Sequence, residues 1–174
     1  FSVIIITEIK IISREKYMKI RPIEPHDFAY VAKIENQNWT LKSTPFIINS
    51  SAEKIMKKVL QGTRYLLAEE EGVLLGVLDY GPRNKSEFGS HVITFGVMTV
   101  KEARGKGVAT QLIQHLIHEA RAEKYEKITI NVMSSNPTAV ALYERLGFEL
   151  EGRLKKEYFI DDLYVDSLIY AYYL

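Results

Sequence analysis

The sequence contains no cysteine, which excludes thiol nucleophiles, disulfide frameworks, cysteine-ligated zinc and iron–sulfur clusters. A reducing, cytoplasmic setting fits that composition. Charge of one sign is missing as well, since 23 Lys and Arg against 22 Asp and Glu leave a formal net of +1. A dedicated nucleic-acid binder carries a strongly basic face, so no nucleic-acid partner is expected and any anion site must be local. Long apolar runs are scarce. The richest, Val3 to Ile12, is interrupted by Glu8 and Lys10 and falls short of the roughly 20 apolar residues that cross a bilayer, so no membrane partner is expected. It has neither a basic leader nor a small-residue cleavage site, and is not expected to act as a secretory signal. The Asn-x-Ser/Thr triplets at Asn38, Asn49 and Asn84 then read as ordinary loop residues.

What the chain does have is 174 residues that are 47% apolar, enough for one domain with a proper core. Met18 is followed at once by a regular strand-then-helix pattern. Residues 1–17 are therefore expected to be an N-terminal extension, upstream of the natural start, with Val3 to Ile12 ordered as an added strand or partner contact. The domain is 18–174. Lys19 to Ile23 reads as a strand, and Pro25 opens a helix whose apolar stripe is Phe28, Val31, Ala32 and Ile34. Trp39 to Asn49 reads as loop. Ser50 or Ser51 caps a second helix that ends at Gly62. Tyr65 to Ala68 and Val73 to Tyr80 form a hairpin. His91 to Val100 is a third long β segment, in which Gly96 signals a bulge or the close approach of another backbone.

Gly107 to Lys124 carries apolar residues on one face and is the longest predicted helix. Lys127 to Met133 is a strand, Asn136 to Leu146 a helix with Pro137 in its first turn, and Phe148 to Leu174 is β-rich with a turn at Asp161-Asp162. This order predicts a single-domain α/β fold with a mixed sheet.

The stretch that carries chemistry is Val97 to Thr110, a strand running through Arg104-Gly105-Lys106-Gly107 into the long helix. Two glycines allow close backbone approach, the first N–H groups of the helix lack internal partners, and the helix dipole adds positive charge. Arg104 and Lys106 add two cations. A diphosphate suits such a cradle. No Walker loop occurs anywhere in the chain, and the dinucleotide fingerprint fails at Thr110 and at Met133-Ser134-Ser135. Gly105 and Gly107 could equally make only a tight strand-to-helix turn.

Here the sequence resembles the GNAT superfamily of N-acetyltransferases. Arg104, Gly107 and Ala109 match its Arg/Gln-x-x-Gly-x-Gly/Ala loop. One strand later, Asn136, Ala139, Leu142, Tyr143, Gly147 and Phe148 match its Asn-x-x-Ala-x-x-Leu-Tyr-x-x-x-Gly-Phe pattern. The resemblance implies a mostly antiparallel twisted sheet flanked by helices. It also implies acetyl transfer from acetyl-CoA to a primary amine of a small molecule or a protein N-terminus. The diphosphate would lie on Gly105, Lys106, Gly107, Val108, Ala109 and Thr110, with Arg104 beside it. The pantetheine arm would lie along Val97, Met98 and Thr99, with Asn136 hydrogen-bonding the arm and Tyr143 protonating the departing thiolate. A homodimer is compatible with the family, and no metal is implied. A non-catalytic acyl-CoA-binding module of the same fold is the alternative.

Asn131 stands where some members carry a glutamate base, so deprotonation is expected to run through water, Glu35 or an acid near the tail. Several residues also have plain structural readings. Tyr143 can be a packing residue, Asn136 a helix cap, Glu35 the polar face of its helix, and Lys57-Lys58 a solvated pair. His115 and His118 have metal-binding spacing but lie on the solvated face of their helix. Trp39, Phe46, Tyr158 and Tyr164, together with Glu35, Asp161, Asp162 and Asp166, are expected to shape an acceptor site that favours a cation.

Overall fold

The computed structural model describes residues 18–174, so the strand or contact expected at Val3 to Ile12 lies outside the described residues. The chain runs through β1 (Lys19–Pro22), α1 (Phe28–Asn38), α2 (Ala52–Leu60), β2 (Arg64–Glu70), β3 (Val73–Pro82) and β4 (Val92–Thr99). It continues through α3 (Val108–Ala122), β5 (Lys127–Met133), α4 (Pro137–Arg145), β6 (Glu149–Ile160) and β7 (Leu163–Tyr173). Pro25 does not open α1 directly. Pro25–Asp27 is a separate 3-10 turn, boxed by Glu24 and Asp27, with α1 starting at Phe28. Ser51 caps α2 by accepting from the Lys54 N–H.

The strands make one seven-stranded sheet in the order β1-β2-β3-β4-β5-β7-β6. All neighbours are antiparallel except β4 and β5. Two tight turns close hairpins with consecutive residues at positive φ, Glu71 and Gly72 between β2 and β3, and Asp161 and Asp162 between β6 and β7. That backbone matches the twist of the flanking strands. Helices cover both faces of the central strands. Leu78, Ile93, Phe95 and Ile128 pack with Leu112 and Leu116 of α3 and with Tyr143 of α4. On the other face Tyr65, Leu67, Val77 and Met98 pack with Val31 and Ile34 of α1 and Ile55 of α2. Burial on both faces explains why Tyr65 to Ala68 is an unbroken apolar run instead of an alternating one.

One charged residue sits inside the second core. Glu35 on α1 is 2% exposed and accepts hydrogen bonds from Lys58 Nζ (3.0 and 3.1 Å), Tyr65 Oη (3.3 Å) and Ser50 Oγ. Glu35 was expected on a polar helix face and Lys58 in solvent. α2 and the chain leading into it close over that face, so the two pair. Burying a carboxylate is tolerable only with such partners. Lys58→Met should therefore destabilise the protein by about 1–3 kcal/mol, read as a lower urea midpoint, and an unchanged midpoint would show that Ser50 and Tyr65 satisfy Glu35 unaided.

Candidate active site

β4 and β5 pair at only three positions, Val92–Lys127, Ile93–Ile128 and Thr94–Thr129. Beyond Thr94 the two strands part, while β4 stays paired with β3 as far as Thr99. The Val92 carbonyl accepts from Arg83 N and Val100 N donates to the Leu75 carbonyl. Even-numbered residues of β4 thus spend their backbone groups on β3. Backbone groups alternate along an antiparallel strand, so those of Phe95, Val97 and Thr99 face the opening. They form a ladder edge for an extended ligand with amide groups. Met98 differs from its neighbours: its backbone is turned to β3 and its side chain, 6% exposed, belongs to the α1–α2 core.

The opening leads to the turn before α3. Gly105 and Gly107 have φ of 77° and 79°, a region that costs other residues roughly 1–2 kcal/mol. The first backbone bond of α3 is Gln111 N to Gly107 O at 3.0 Å. Among the described residues, the N–H groups of Gly107, Val108, Ala109 and Thr110 have no partner. Gly76 on β3 holds this cradle against the sheet, because a Cβ there would lie 2.8 Å from Val108 Cγ1 and 3.1 Å from Leu112 Cδ1. Lys106 is exposed beside the cradle. Arg104 instead donates to Asn38 Oδ1 at 3.0 Å, fastening the loop to the end of α1.

Tyr143 of α4 packs against Phe95 of β4 on the α3–α4 face, and Asn136 stands at the start of the same helix. The Tyr143 ring is 5% exposed and packs edge-on to Phe95, with centroids 5.9 Å apart. Burial raises its pKa well above the ordinary phenol value, so it is a neutral proton donor. No group among the described residues takes its hydroxyl hydrogen bond. Asn136 Oδ1 caps α4 by accepting from Ala139 N at 3.2 Å, and its side-chain N–H groups make no hydrogen bond among the described residues.

The opposite face holds an acid that the sequence reading missed. Asp79 on β3 is the register partner of Gly96, two residues past the last β4–β5 pair. A Cβ on Gly96 would lie 2.9 Å from Asp79 Oδ1 and 3.2 Å from Trp39 Cζ2, so this glycine lets a carboxylate and an indole meet over bare backbone. No bulge occurs there. Burial, with the negative Glu35 adding to it and Lys58 opposing, raises the Asp79 pKa to about 6. The signal was an acid inside the apolar run Val77-Leu78-Asp79-Tyr80, on the face alternate to Leu78. Arg83, just past β3 with its N–H on the Val92 carbonyl, donates from Nη1 to Asn131 Oδ1 of β5 at 2.8 Å.

Other expected site residues have different duties. Glu35 is locked in the core and is not available as a base. Asp166 accepts from Arg153 Nε (2.6 Å) and Lys156 N (2.7 Å), which hold its carboxyl below the usual range. It ties down a bulge in β6. Asp161 and Asp162 sit in the exposed hairpin turn, near Phe159 and Tyr164, whose ring centroids are 5.0 Å apart with the planes tilted by 52°. His115 pairs with Glu119 at 3.2 Å. Among the described residues no group of three or more His, Asp or Glu could hold a metal ion, and no helix is long and apolar enough to cross a membrane.

A sheet parted at one parallel pair, with an N–H cradle at the end of the parted strand, is the architecture that the two sequence motifs implied. The chain belongs to the acetyltransferase (GNAT) family, whose model matches residues 24–148. A solved structure, that of smu.2055 from Streptococcus mutans UA159, is 37% identical with a TM-score of 0.86, over 89% of this chain and 98% of that one. The structure of yncA from Salmonella typhimurium with acetyl-CoA shares the fold at 20% identity and a TM-score of 0.81, over 91% and 94% of the two chains. An L-methionine sulfoximine/L-methionine sulfone acetyltransferase of Pseudomonas aeruginosa is 34% identical over 95 residues, 54% of this chain and 55% of that protein. The match thus spans about half the length of that curated relative.

Asp79 has a measurable signature. A carboxyl whose folded-state pKa is raised loses stability as pH climbs from its unfolded value through the folded one. Asp79→Asn should therefore have the higher urea midpoint at pH 8, with the gap narrowing below about pH 6. A midpoint lower than wild type at pH 8 would show that the ionised carboxylate is a net stabiliser.

Proposed function

We propose that the protein transfers an acetyl group from acetyl-CoA to a primary amine of a small molecule or a protein N-terminus. The observation that carries this reading is the continuity of the open β4 edge with the N–H cradle. The free backbone groups of Val97 and Thr99 suit the amides of a pantetheine arm. Gly107 to Thr110, with Lys106, suit a diphosphate. Acetyl-CoA supplies the acetyl group as an activated thioester. Tyr143 then faces the sulfur from the α3–α4 side and gives it a proton as it leaves. The acceptor enters from the α1–α2 side, between the segment Trp39 to Phe46 and the β6–β7 hairpin. The Pseudomonas relative, an L-methionine sulfoximine/L-methionine sulfone acetyltransferase, supports a small-molecule acceptor.

The reading places the protein in the cytoplasm, in keeping with its cysteine-free composition. A second copy of the chain is its possible partner, with Leu150 and Leu154 of β6 exposed at 55% and 43%. Thiol release measured across amino acids, polyamines, aminoglycosides and N-terminal peptides tests the activity. Tight acetyl-CoA binding without turnover of any amine would leave an acyl-CoA-binding module instead.

Gly107→Asp forces a side chain into a left-handed backbone and adds negative charge at the cradle. Its acetyl-CoA affinity should fall at least tenfold by calorimetry while the protein stays folded, and undiminished affinity would move the diphosphate elsewhere. Tyr143→Phe keeps the ring packing against Phe95. It should slow turnover by about 10²-fold with cofactor affinity retained, whereas equal turnover with chemistry rate-limiting would return Tyr143 to a packing role.

A further inference from the structure

The sheet face turned to α1 and α2 carries one row of residues across three strands. Register sets Tyr65 of β2 against Asp79 of β3, and Asp79 against Gly96 of β4. Gly96 puts no side chain between the Asp79 carboxylate and the far edge of β4, which has parted from β5 at this level. Behind the row stands Glu35, which accepts from Tyr65 Oη, Lys58 Nζ and Ser50 Oγ. Tyr65 and Glu35 are each 2% exposed, whereas Asp79 is only half-buried. Among the described residues no other side chain hydrogen-bonds to the Asp79 carboxylate. It is the one acid of this cluster that a second molecule can reach.

We infer, resting on the acetyl-transfer reading, that Asp79 takes the proton from the acceptor's ammonium group, and that Glu35 is a positioning residue behind it that never meets the substrate. The open edge of β4 runs from the cradle through Thr99 and Val97 towards Phe95, so the thioester end of an arm laid along it comes level with Phe95 and Gly96. Neighbouring residues of a strand face opposite sides of the sheet. Tyr143 packs on Phe95 and Asp79 stands on Gly96, so two proton-handling groups flank one level of β4 from its two faces. The titratable and charged groups facing Asp79 are Glu35 from α1, Lys58 from α2 and Tyr65 from β2. Burial chiefly raises the Asp79 carboxyl to about 6, with Lys58 opposing and Glu35 adding, so at neutral pH it is ionised and more basic than an ordinary aspartate. The tail acids lack this setting. Asp166 is tied to Arg153 and Lys156 N, and Asp161 and Asp162 stand in the exposed hairpin turn.

Protons balance across the step. The acceptor's ammonium gives one proton to the Asp79 carboxylate, which passes it to water. The freed amine forms the bond to the acetyl carbon as the carbon–sulfur bond breaks. The second nitrogen proton replaces the one that Tyr143 delivers to sulfur, so the products are the N-acetylated amine, coenzyme A and one released proton. Glu35, expected as a candidate base, acts at one remove: its fixed negative charge favours the protonated form of Asp79 and so strengthens it as a base.

The test takes the amine of the acceptor panel that releases thiol fastest, with amine and acetyl-CoA both saturating. Wild-type kcat should fall on the acid side through a limb at about pH 6, and the limb should stay in place for a second amine of different basicity. Asp79→Asn should keep its acetyl-CoA affinity, lose at least about 10²-fold in kcat at pH 7 and lose that limb. In substrate-free protein, carbon-13 NMR of the side-chain carboxyls should show Asp79 titrating at about the same pH. Glu35→Gln should move limb and NMR titration to lower pH and Lys58→Met should move both to higher pH, opposite shifts that lost packing alone does not produce. Lys58→Met reads the same coupling where Glu35→Gln fails to fold. Undiminished kcat in Asp79→Asn, or survival of the limb in it, refutes Asp79 as the proton acceptor while leaving acetyl transfer intact. A limb and titration unmoved in folded Lys58→Met refute the positioning role of the cluster. Failure of every amine to release thiol overturns the acetyl-transfer reading itself, and this inference with it.

Discussion

Three rungs of parallel ladder, Val92 to Thr94 against Lys127 to Thr129, set the geometry of the site. A parallel pair needs a crossover, and α3 with the turn before it supplies one here. Holding the strands together at one end and letting them part at the other leaves β4 with an edge that pairs with no strand on that side among the described residues. In most sheets such an edge is a liability. Here it lies in the middle of the sheet, between β3 and β5, with helices packed on both faces of the central strands.

The site follows from that opening by local backbone rules. Alternation along β4 turns Val97 and Thr99 towards the gap and Met98 away from it. Gly76 lets α3 start directly on the sheet, and Gly107 turns the chain so that the first N–H groups of the helix end the same groove. Chemistry is divided between the faces. Tyr143 stands on the α3–α4 side in an aromatic cluster with Phe95 and Phe148. Asp79 stands on the α1–α2 side over Gly96. In the proposed reaction the donor sulfur would lie on the side of Tyr143 and the acceptor would enter from the face of α1 and α2.

Much of this was legible in the amino-acid sequence because local rules govern it. The Gly-x-Gly turn, the cap and Pro137 start of α4, the apolar stripe of α3 and the two-residue hairpin turn at Asp161-Asp162 all follow from propensity and spacing. Gly96 was read as a bulge or the close approach of another backbone, and the structure shows neither: the side chains of Asp79 and Trp39 crowd it instead. What escaped was decided by long-range packing. Glu35 looks like a solvent-facing residue until α2 folds over it and brings Lys58. Asp79 looks like an oddity in an apolar strand until register sets it against Gly96 and Trp39. Arg83 follows β3, and only the β3–β4–β5 order brings its guanidinium to Asn131. Asp166 was expected to attract substrate, but the β6 bulge brings Arg153 and the Lys156 N–H onto it. Pro25 marks a boundary correctly, and α1 begins one 3-10 turn later.

The central claim is that acetyl-CoA completes the open edge of β4 and fills the cradle at the start of α3. Amide hydrogen exchange followed by NMR, with and without coenzyme A, tests it residue by residue. Protection should appear at Val97 and Thr99 and at Gly107 to Thr110, while Met98, already paired with β3, should change little. Protection confined to other elements, or equal changes at Val97, Met98 and Thr99, would contradict the account.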